Sequence, residues 1–495
     1  MLLLGAGALG AAACAGVPRV GRGRPRGDPP VVVVGAGIAG LLAAYRLRQA
    51  GIAVQVIEAQ ERTGGRVRTL RDRFPERQHA ELGAEFIDTR HLTLRRLAAE
   101  LGLPLDDLPA EDRGLAPMTW HFRGEVRREA ELVDELRPLA ARVAADLATL
   151  PSGASSQSLL HPASIALDRF SLSEWLERAG AGGWLRDLLT VAYVTEFGLD
   201  ADRQSALNFL MTIDPRIPPL RLYGDSDERF RVRGGNDRLC GALAARLDGA
   251  VETGAVLEAV RHRSDGALVV TARRSAAASR DIAATHVVLA TPFTTLRRVE
   301  IDVPLSPLKR RSIAELGYGT NAKLLLAVSR RVWREDHRAG GMVLTDRPLQ
   351  CAWDATRCQP GRGGVLTNFT GGAAGVSMGE GSPAARAAQA AGDLEAIFPG
   401  VAAARAGQGE ARFHWPSHPW SLGSYACHGP GQWTAFGEVV GQPAGRLHFA
   451  GEHCSLGAQG FMEGACQTAE RAARAIAAEL ARQIPPFTGT TLPVM

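Results

Sequence analysis

The chain has 495 residues, 45% hydrophobic and 22% charged, which is long enough for two or more domains with sizeable cores. Its net charge of +5 is small for that length, and no basic block carries interleaved aromatics, so nucleic acid is not an expected partner. The seven cysteines show neither C-x-x-C nor zinc-ligand spacing, and H-E-x-x-H is absent, so no metal site is expected and the metalloprotease class lacks its motif.

Residues 1–28 read as a signal-like segment and linker. Leu2 to Val17 is apolar and about as long as a signal-peptide core, but no Lys or Arg precedes it. It resembles the tail of a twin-arginine signal whose start lies upstream; a disordered or mis-started terminus is the alternative. Export and a cytoplasmic location therefore both stay open. The stretch is too short and glycine-rich for a stable membrane span. Arg19 to Pro30 reads as a linker.

The next stretch, VVVVGAGIAG, is the strongest signal. Val31–Val34 predicts a strand buried on both faces, and Gly35, Gly37 and Gly40 complete G-x-G-x-x-G. Ile38 and Ala39 open a helix running to Ala50, and a second strand ends in Glu58, 18 residues past Gly40, followed by Ala59. The glycines permit a tight turn and close approach of a pyrophosphate, and the helix N-terminus offers it free N–H groups. Glu58 can accept from ribose hydroxyls. A ligand-free glycine turn explains the glycines but not Glu58.

Downstream, QERTGGRVR (residues 60–68) places Gly64, Gly65 and Arg66 where a plain NAD domain has no such motif. Here the chain resembles the flavin-dependent amine oxidase family, in particular bacterial flavin monoamine oxidases, with polyamine and L-amino-acid oxidases as relatives. The resemblance implies FAD, with Gly65 and Arg66 near its pyrophosphate. Arg62 falls either there or on the solvated surface. It also implies that AELGAEFID (residues 80–88) passes the flavin ring, bringing in Gly83, Ala84 and Glu85. In the amino-acid oxidases an arginine in this segment binds the substrate carboxylate, and Phe86 occupies that position here. Arg90 lies nearby, in a stretch that reads as an amphipathic helix.

The remaining family positions follow in order. Tyr193 to Phe197 sits where members contribute pocket residues, with plain core the alternative for Tyr193 and Phe197. Val256 is the implied backbone contact to adenine. Lys323, inside the apolar run TNAKLLLAV, is the implied lysine that holds a water against flavin N5; an edge lysine reaching solvent is the alternative. Trp333 matches a following aromatic position, and Trp353 reads as pocket or core. Ser424 stands at the position of the cysteine that bonds covalently to flavin in monoamine oxidases, so non-covalent FAD is expected. Tyr425 and Phe461 match the aromatic cage, Glu452 the ribityl or pyrophosphate region, and Met462 the start of a long helix aimed at the flavin.

The implied fold is α/β: a discontinuous Rossmann-like FAD-binding domain in three segments (29–92, 225–298, 414–482) and an α+β substrate-binding domain (93–224, 299–413). The implied activity is oxidation of an amine C–N bond to an imine by hydride transfer to flavin N5. Oxygen is then reduced to hydrogen peroxide, and the imine is hydrolysed to aldehyde or ketone. Amine and oxygen are the expected small-molecule partners, and a homodimer is an open expectation. An L-amino-acid oxidase, an FAD-dependent dehydrogenase or desaturase, and a non-catalytic binding protein of the same fold are the alternatives. No acid or base is identifiable from the sequence.

Overall fold

The four valines Val31–Val34 form the central strand of a five-stranded parallel sheet. Its order is Leu447–Phe449, His286–Leu289, Val31–Val34, Val54–Ile57, Val251–Glu252. The description comes from a computed structural model and covers residues 29–151, 159–264, 266–274, 277–405 and 407–482. The signal-like segment lies outside the described residues, as does most of Pro151 to Gln157, whose sequence PSGASSQ reads as a loop. An all-valine strand suits this place because both faces are covered. Val31 and Val33 join a core with Leu41, Leu42, Ala469 and Ile476 of the helices Ile38–Gln49 and Met462–Arg482. Val32 and Val34 join a second core with Leu268, Val270 and Ala272. Those three residues belong to a four-stranded sheet that also contains Ala255–His262.

A seven-stranded sheet forms the second body. Its order is Glu410–His414, Ala322–Val328, Gly364–Thr370, Cys351–Asp354, Val343–Thr345, Thr119–Phe122, Glu125–Arg127. Pairing is antiparallel except between Thr119–Phe122 and Val343–Thr345. The strand carrying Lys323 is hydrogen-bonded on both sides, which corrects the edge-lysine alternative. Helices Glu129–Ala148, Leu172–Arg178 and Gly183–Phe197 pack against this sheet through Leu132, Leu136, Trp175, Leu188 and Leu344. The pattern predicts one helix over 172–189. Gly180 at φ +75° and Gly183 at φ +59° split it, because a left-handed residue cannot continue a right-handed helix. Strand Leu105–Asp107 pairs with Phe230–Val232, and Leu105, Phe230 and Val232 pack on the first core. Among the described residues no helix is long and apolar enough to cross a membrane.

Candidate active site

One cavity of about 1250 Å³ runs from the carboxyl ends of the parallel strands to the face of the seven-stranded sheet. Its dinucleotide end is made largely by backbone. Gly35 sits at φ +100°, and a Cβ there would lie 2.9 Å from the carbonyl oxygen of Ala290. A Cβ on Gly40 would lie 1.9 Å from the Gly35 oxygen, so Gly40 serves the close packing of helix on turn and does not line the cavity. Gly37, by contrast, faces open space: a Cβ there would meet only the Gly64 oxygen, at 4.0 Å. Gly37 caps the helix Ile38–Gln49 without a side-chain hydrogen bond, which leaves first-turn N–H groups for an anion. Ile38, Ala39 and Ala59 line the same end, as does Val256.

Glu58 is buried, and its carboxylate accepts from the N–H groups of Ala36 (2.7 Å) and Gln60 (2.8 Å). Burial raises its pKa despite those two bonds. It is thus fixed at the strand end with acceptor capacity left for ribose hydroxyls. The Gly64–Gly65 turn packs backbone to backbone on this motif: Gly64 N donates to Ala36 O at 2.8 Å, and a Cβ on Gly65 would stand 3.3 Å from Gly37 Cα. Arg62 donates to the carbonyls of Thr63 and Gly65 at 3.1 and 2.8 Å. It braces the turn and is absent from the cavity wall, so the structure does not bring it to the expected place.

Arg66 lines the cavity and is held by Glu452 at 2.7 Å and by the Ser424 carbonyl at 2.8 Å. Glu452 is buried and also accepts from the backbone of Ala426 (3.2 Å) and Gly460 (3.0 Å). Burial alone would raise its pKa; the charge of Arg66 and the further bonds outweigh burial and hold it below the ordinary value. One carboxylate therefore gathers the Arg66, Ser424–Ala426 and Gly460 segments at the cavity wall. Ser424 donates its hydroxyl to Asn321 Oδ1 at 2.6 Å. Met462 opens the helix Met462–Arg482 beside it.

Lys323 is buried beneath this point. Its ammonium donates to Glu85 Oε2 (2.8 Å), Gly83 O (2.9 Å) and Glu81 O (3.2 Å). Three donors meet three acceptors, which is how a buried ammonium is tolerated. The Trp353 ring centroid lies 5.0 Å from Nζ. Glu85 also faces Arg231, buried to 1% exposure, at 3.4 Å. Arg231 in turn donates to the carbonyls of Ala355 and Arg357 at 2.7 and 2.8 Å. Gly83, Ala84, Glu85 and Lys323 all border the cavity. The resemblance-implied lysine is thus one end of a buried Lys–Glu–Arg chain that joins the glycine-rich 83–85 segment to the second sheet.

At the substrate end, Tyr425 and Phe461 both line the cavity and make no ring contact with each other among the described residues. The Tyr425 hydroxyl donates to the Glu196 carbonyl at 2.5 Å, and the Phe461 ring packs on His91 with centroids 5.0 Å apart. Phe86, Trp353 and Phe369 form an aromatic wall with centroids 5.4 Å apart at each step. Trp353 is therefore a wall residue. Trp333 is core, with its indole N–H on Asp354 at 3.1 Å. Tyr193 is core as well, whereas Phe197 lines the cavity.

Two functional candidates are not singled out by pattern. Glu196 and Glu228 both line the cavity, and neither side chain has an ion-pair or hydrogen-bond partner among the described residues. Burial is the first cause that pushes Glu196 up to about 7, with Asp88 adding to it. Burial, Glu196 and Asp88 push Glu228 up to about 8. The arginines bordering this end are engaged: Arg90 with Asp88 at 3.4 Å and Arg216 with Asp214 at 2.7 Å. Glu196 falls inside the Tyr193–Phe197 stretch, but only its place on the helix Gly183–Phe197 decides which residue faces the cavity. Glu228 sits at φ +43° in an irregular segment, where no periodicity could mark it.

The glycine turn, the buried Glu58 at the strand end and the open helix N-terminus fit a dinucleotide. The family model for flavin-containing amine oxidoreductases matches residues 38–477. An L-amino-acid oxidase of Siganus canaliculatus is 27% identical over 459 residues, covering 90% of this chain and 84% of that protein. An L-amino acid dehydrogenase of a Synechocystis species is 27% identical over 473 residues, covering 91% and 95%. Among solved structures, a putrescine oxidase bound to putrescine superposes with TM-score 0.77 at 24% identity, covering 91% of this chain and 99% of that one. A cyclohexylamine oxidase from Brevibacterium oxydans superposes with TM-score 0.78 at 23% identity, covering 92% and 100%. The chain belongs to the flavin-containing amine oxidoreductase family and is an FAD-dependent oxidoreductase of amines or amino acids.

Proposed function

We propose that the substrate is an amine without an adjacent carboxylate, and that the chain oxidises its C–N bond to an imine that water then hydrolyses. The observation that carries this reading is the pair Glu196 and Glu228, which face the cavity with no close ion pair among the described residues, Arg90 and Arg357 acting on them only at longer range. Carboxylates set in this way attract an ammonium and repel an α-carboxylate; like charges without a partner in a desolvated site are costly. Phe86, where the amino-acid oxidases of the family carry the carboxylate-binding arginine, supports the same choice. FAD, held by the dinucleotide-binding residues, would supply the hydride acceptor and a route for the electrons to oxygen.

The chain's own residues then have distinct tasks. Glu58, Gly37 and the first turn of helix Ile38–Gln49 hold the adenosine and pyrophosphate half. Arg66, fixed by Glu452, balances phosphate charge. Tyr425 and Phe461 flank the amine, and the aromatic wall at Phe86, Trp353 and Phe369 receives its carbon skeleton. Glu196 draws in the ammonium and, in its ionised form, takes the proton that must leave before the neutral amine reacts. Lys323, poised by Glu85, presents positive charge where oxygen is reduced. Ser424 cannot form a thioether, so FAD is held without a covalent bond.

A second reading, L-amino-acid oxidation, is favoured by the names of the sequence relatives and would need Arg90 or Arg216 to leave its acid. Mixing the holoenzyme without oxygen with a panel of amines and amino acids separates the two. Bleaching of the flavin band by amines alone supports the proposal, and bleaching by amino acids replaces it with the second reading.

A further inference from the structure

At the edge of the parallel sheet away from the glycine turn, His286, His448 and Glu479 come together. Each offers one ligand atom, and these atoms lie within 4.8 Å of one another. Strand register explains the meeting. His448 pairs with Val288 in the parallel ladder, and Val288 lies on the same side of its strand as His286. Both imidazoles therefore leave the sheet on one face. There the helix Met462–Arg482 passes over them and brings Glu479 down from its last turns. Glu479 Oε2 lies 3.0 Å from His286 Nε2. His448 is 3% exposed, and its Nε2 has no hydrogen-bond partner among the described residues. A buried ring nitrogen left unsatisfied beside a carboxylate and a second imidazole is an unusual cost in a core otherwise apolar. Among the described residues no other trio of histidine, cysteine, aspartate or glutamate side chains gathers in this way.

We propose that His286, His448 and Glu479 form a binding site for a divalent transition-metal ion, with zinc as the best match to two imidazoles and one carboxylate. A tetrahedral zinc site has ligand atoms about 3.3 Å apart, given bonds of about 2.0–2.1 Å. The trio reaches that spacing by a small closure. Glu479 supplies it, since its side chain is 34% exposed and can swing, while the two imidazoles are fixed in the sheet. Water takes the fourth position on the exposed side. The bond links the end of the helix Met462–Arg482 to two sheet strands, pinning the last segment of the chain to the first body. His286 pairs with Val31 at the amino end of the central strand, whereas the glycine turn leaves its carboxyl end, which makes the site a stability element and not part of the oxidation chemistry. Binding to the folded state alone would raise the unfolding temperature in proportion to the logarithm of metal concentration over its dissociation constant.

The test uses the FAD-loaded full chain, stripped with a chelator and titrated with zinc chloride. The expected result is one zinc per chain retained through gel filtration, a zinc-dependent rise in unfolding temperature and unchanged amine oxidation. Glu479→Ala and His448→Phe should each lose the retained zinc while keeping the flavin spectrum. Glu479→Ala changes a surface position and keeps the test valid if the buried His448→Phe fails to fold. With cobalt in place of zinc, wild type should show tetrahedral visible bands beyond the flavin absorption. Absence of stoichiometric zinc, or equal retention by Glu479→Ala, overturns the assignment.

Discussion

The two ends of the single cavity are built by opposite means. At the dinucleotide end, backbone does the recognition: Gly35 and Gly40 are fixed by steric contact and Gly37 leaves open space. The Glu58 carboxylate there is itself held by backbone N–H groups. At the substrate end, side chains from stretches far apart converge: Phe86, Glu196, Glu228, Lys323, Trp353, Tyr425 and Phe461. The first kind of site is local and tolerates no added atom at Gly35 or Gly40. The second is assembled by the tertiary fold and can be retuned residue by residue.

The largest expected effect falls at the backbone end. Gly40→Ala places a methyl 1.9 Å from the Gly35 oxygen, where backbone on both sides cannot yield. The purified variant should carry no FAD or fail to fold; a yellow, fully loaded variant would break the contrast between the two ends. Glu58→Ala comes next. It removes an acceptor of charge-assisted bonds, each contributing about 1.5–3 kcal/mol, so FAD affinity measured by equilibrium dialysis should fall by about ten- to a hundredfold.

Changes at the other end should leave FAD in place and alter rates. Lys323→Met removes a buried charge but leaves Glu85 paired with Arg231, so the protein should fold. On the role proposed for Lys323, loss of its positive charge should slow reoxidation of reduced flavin by roughly a hundredfold, with reduction by amine less affected. Equal reoxidation rates in stopped flow would remove Lys323 from that step. Acid precipitation should release all the colour from wild type, and colour left in the pellet would contradict the part given to Ser424.

The smallest effects concern protons. Glu196 and Glu228 ionise through about 7 and about 8, so the cavity becomes more negative over that range and KM for a cationic amine should fall as pH rises. Glu228→Gln should flatten the upper part of the profile and raise KM above pH 8 by roughly tenfold, the effect of about 1.4 kcal/mol. Stability should move the other way. Glu81, Glu196 and Glu228 hold protons in the folded state that the unfolded chain gives up at ordinary carboxyl pKa values. Their contribution is complete below the unfolded pKa and is lost as pH rises through about 7 to about 8. Thermal unfolding of the holoenzyme against pH checks the sign.

The same contrast explains what the sequence discloses. The turn Gly35–Gly40, Glu58 and the helix Met462–Arg482 are legible because their spacing is set by local geometry. Lys323 is legible because a charge inside an apolar strand is costly unless it has a task, and its three acceptors show what makes it tolerable. Arg62 misleads because a turn-bracing arginine and a phosphate-binding one share the same sequence context. Glu196 and Glu228 stay silent because one sits on a helix whose cavity face is decided by packing and the other in an irregular loop. Their common property, burial at the cavity without a close ion pair among the described residues, exists only in three dimensions. The metal-ligating trio is silent for the same reason, since His286, His448 and Glu479 are brought together by strand register.

The central claim is that the substrate end selects an amine by excluding a carboxylate. A matched pair differing only in that group, phenethylamine and phenylalanine, tests it most directly when mixed without oxygen with the holoenzyme. Rapid flavin reduction by phenethylamine with none by phenylalanine, and a smaller difference in the Glu196→Gln, Glu228→Gln double variant, is the predicted result. Reduction by phenylalanine at an equal or greater rate would contradict the account.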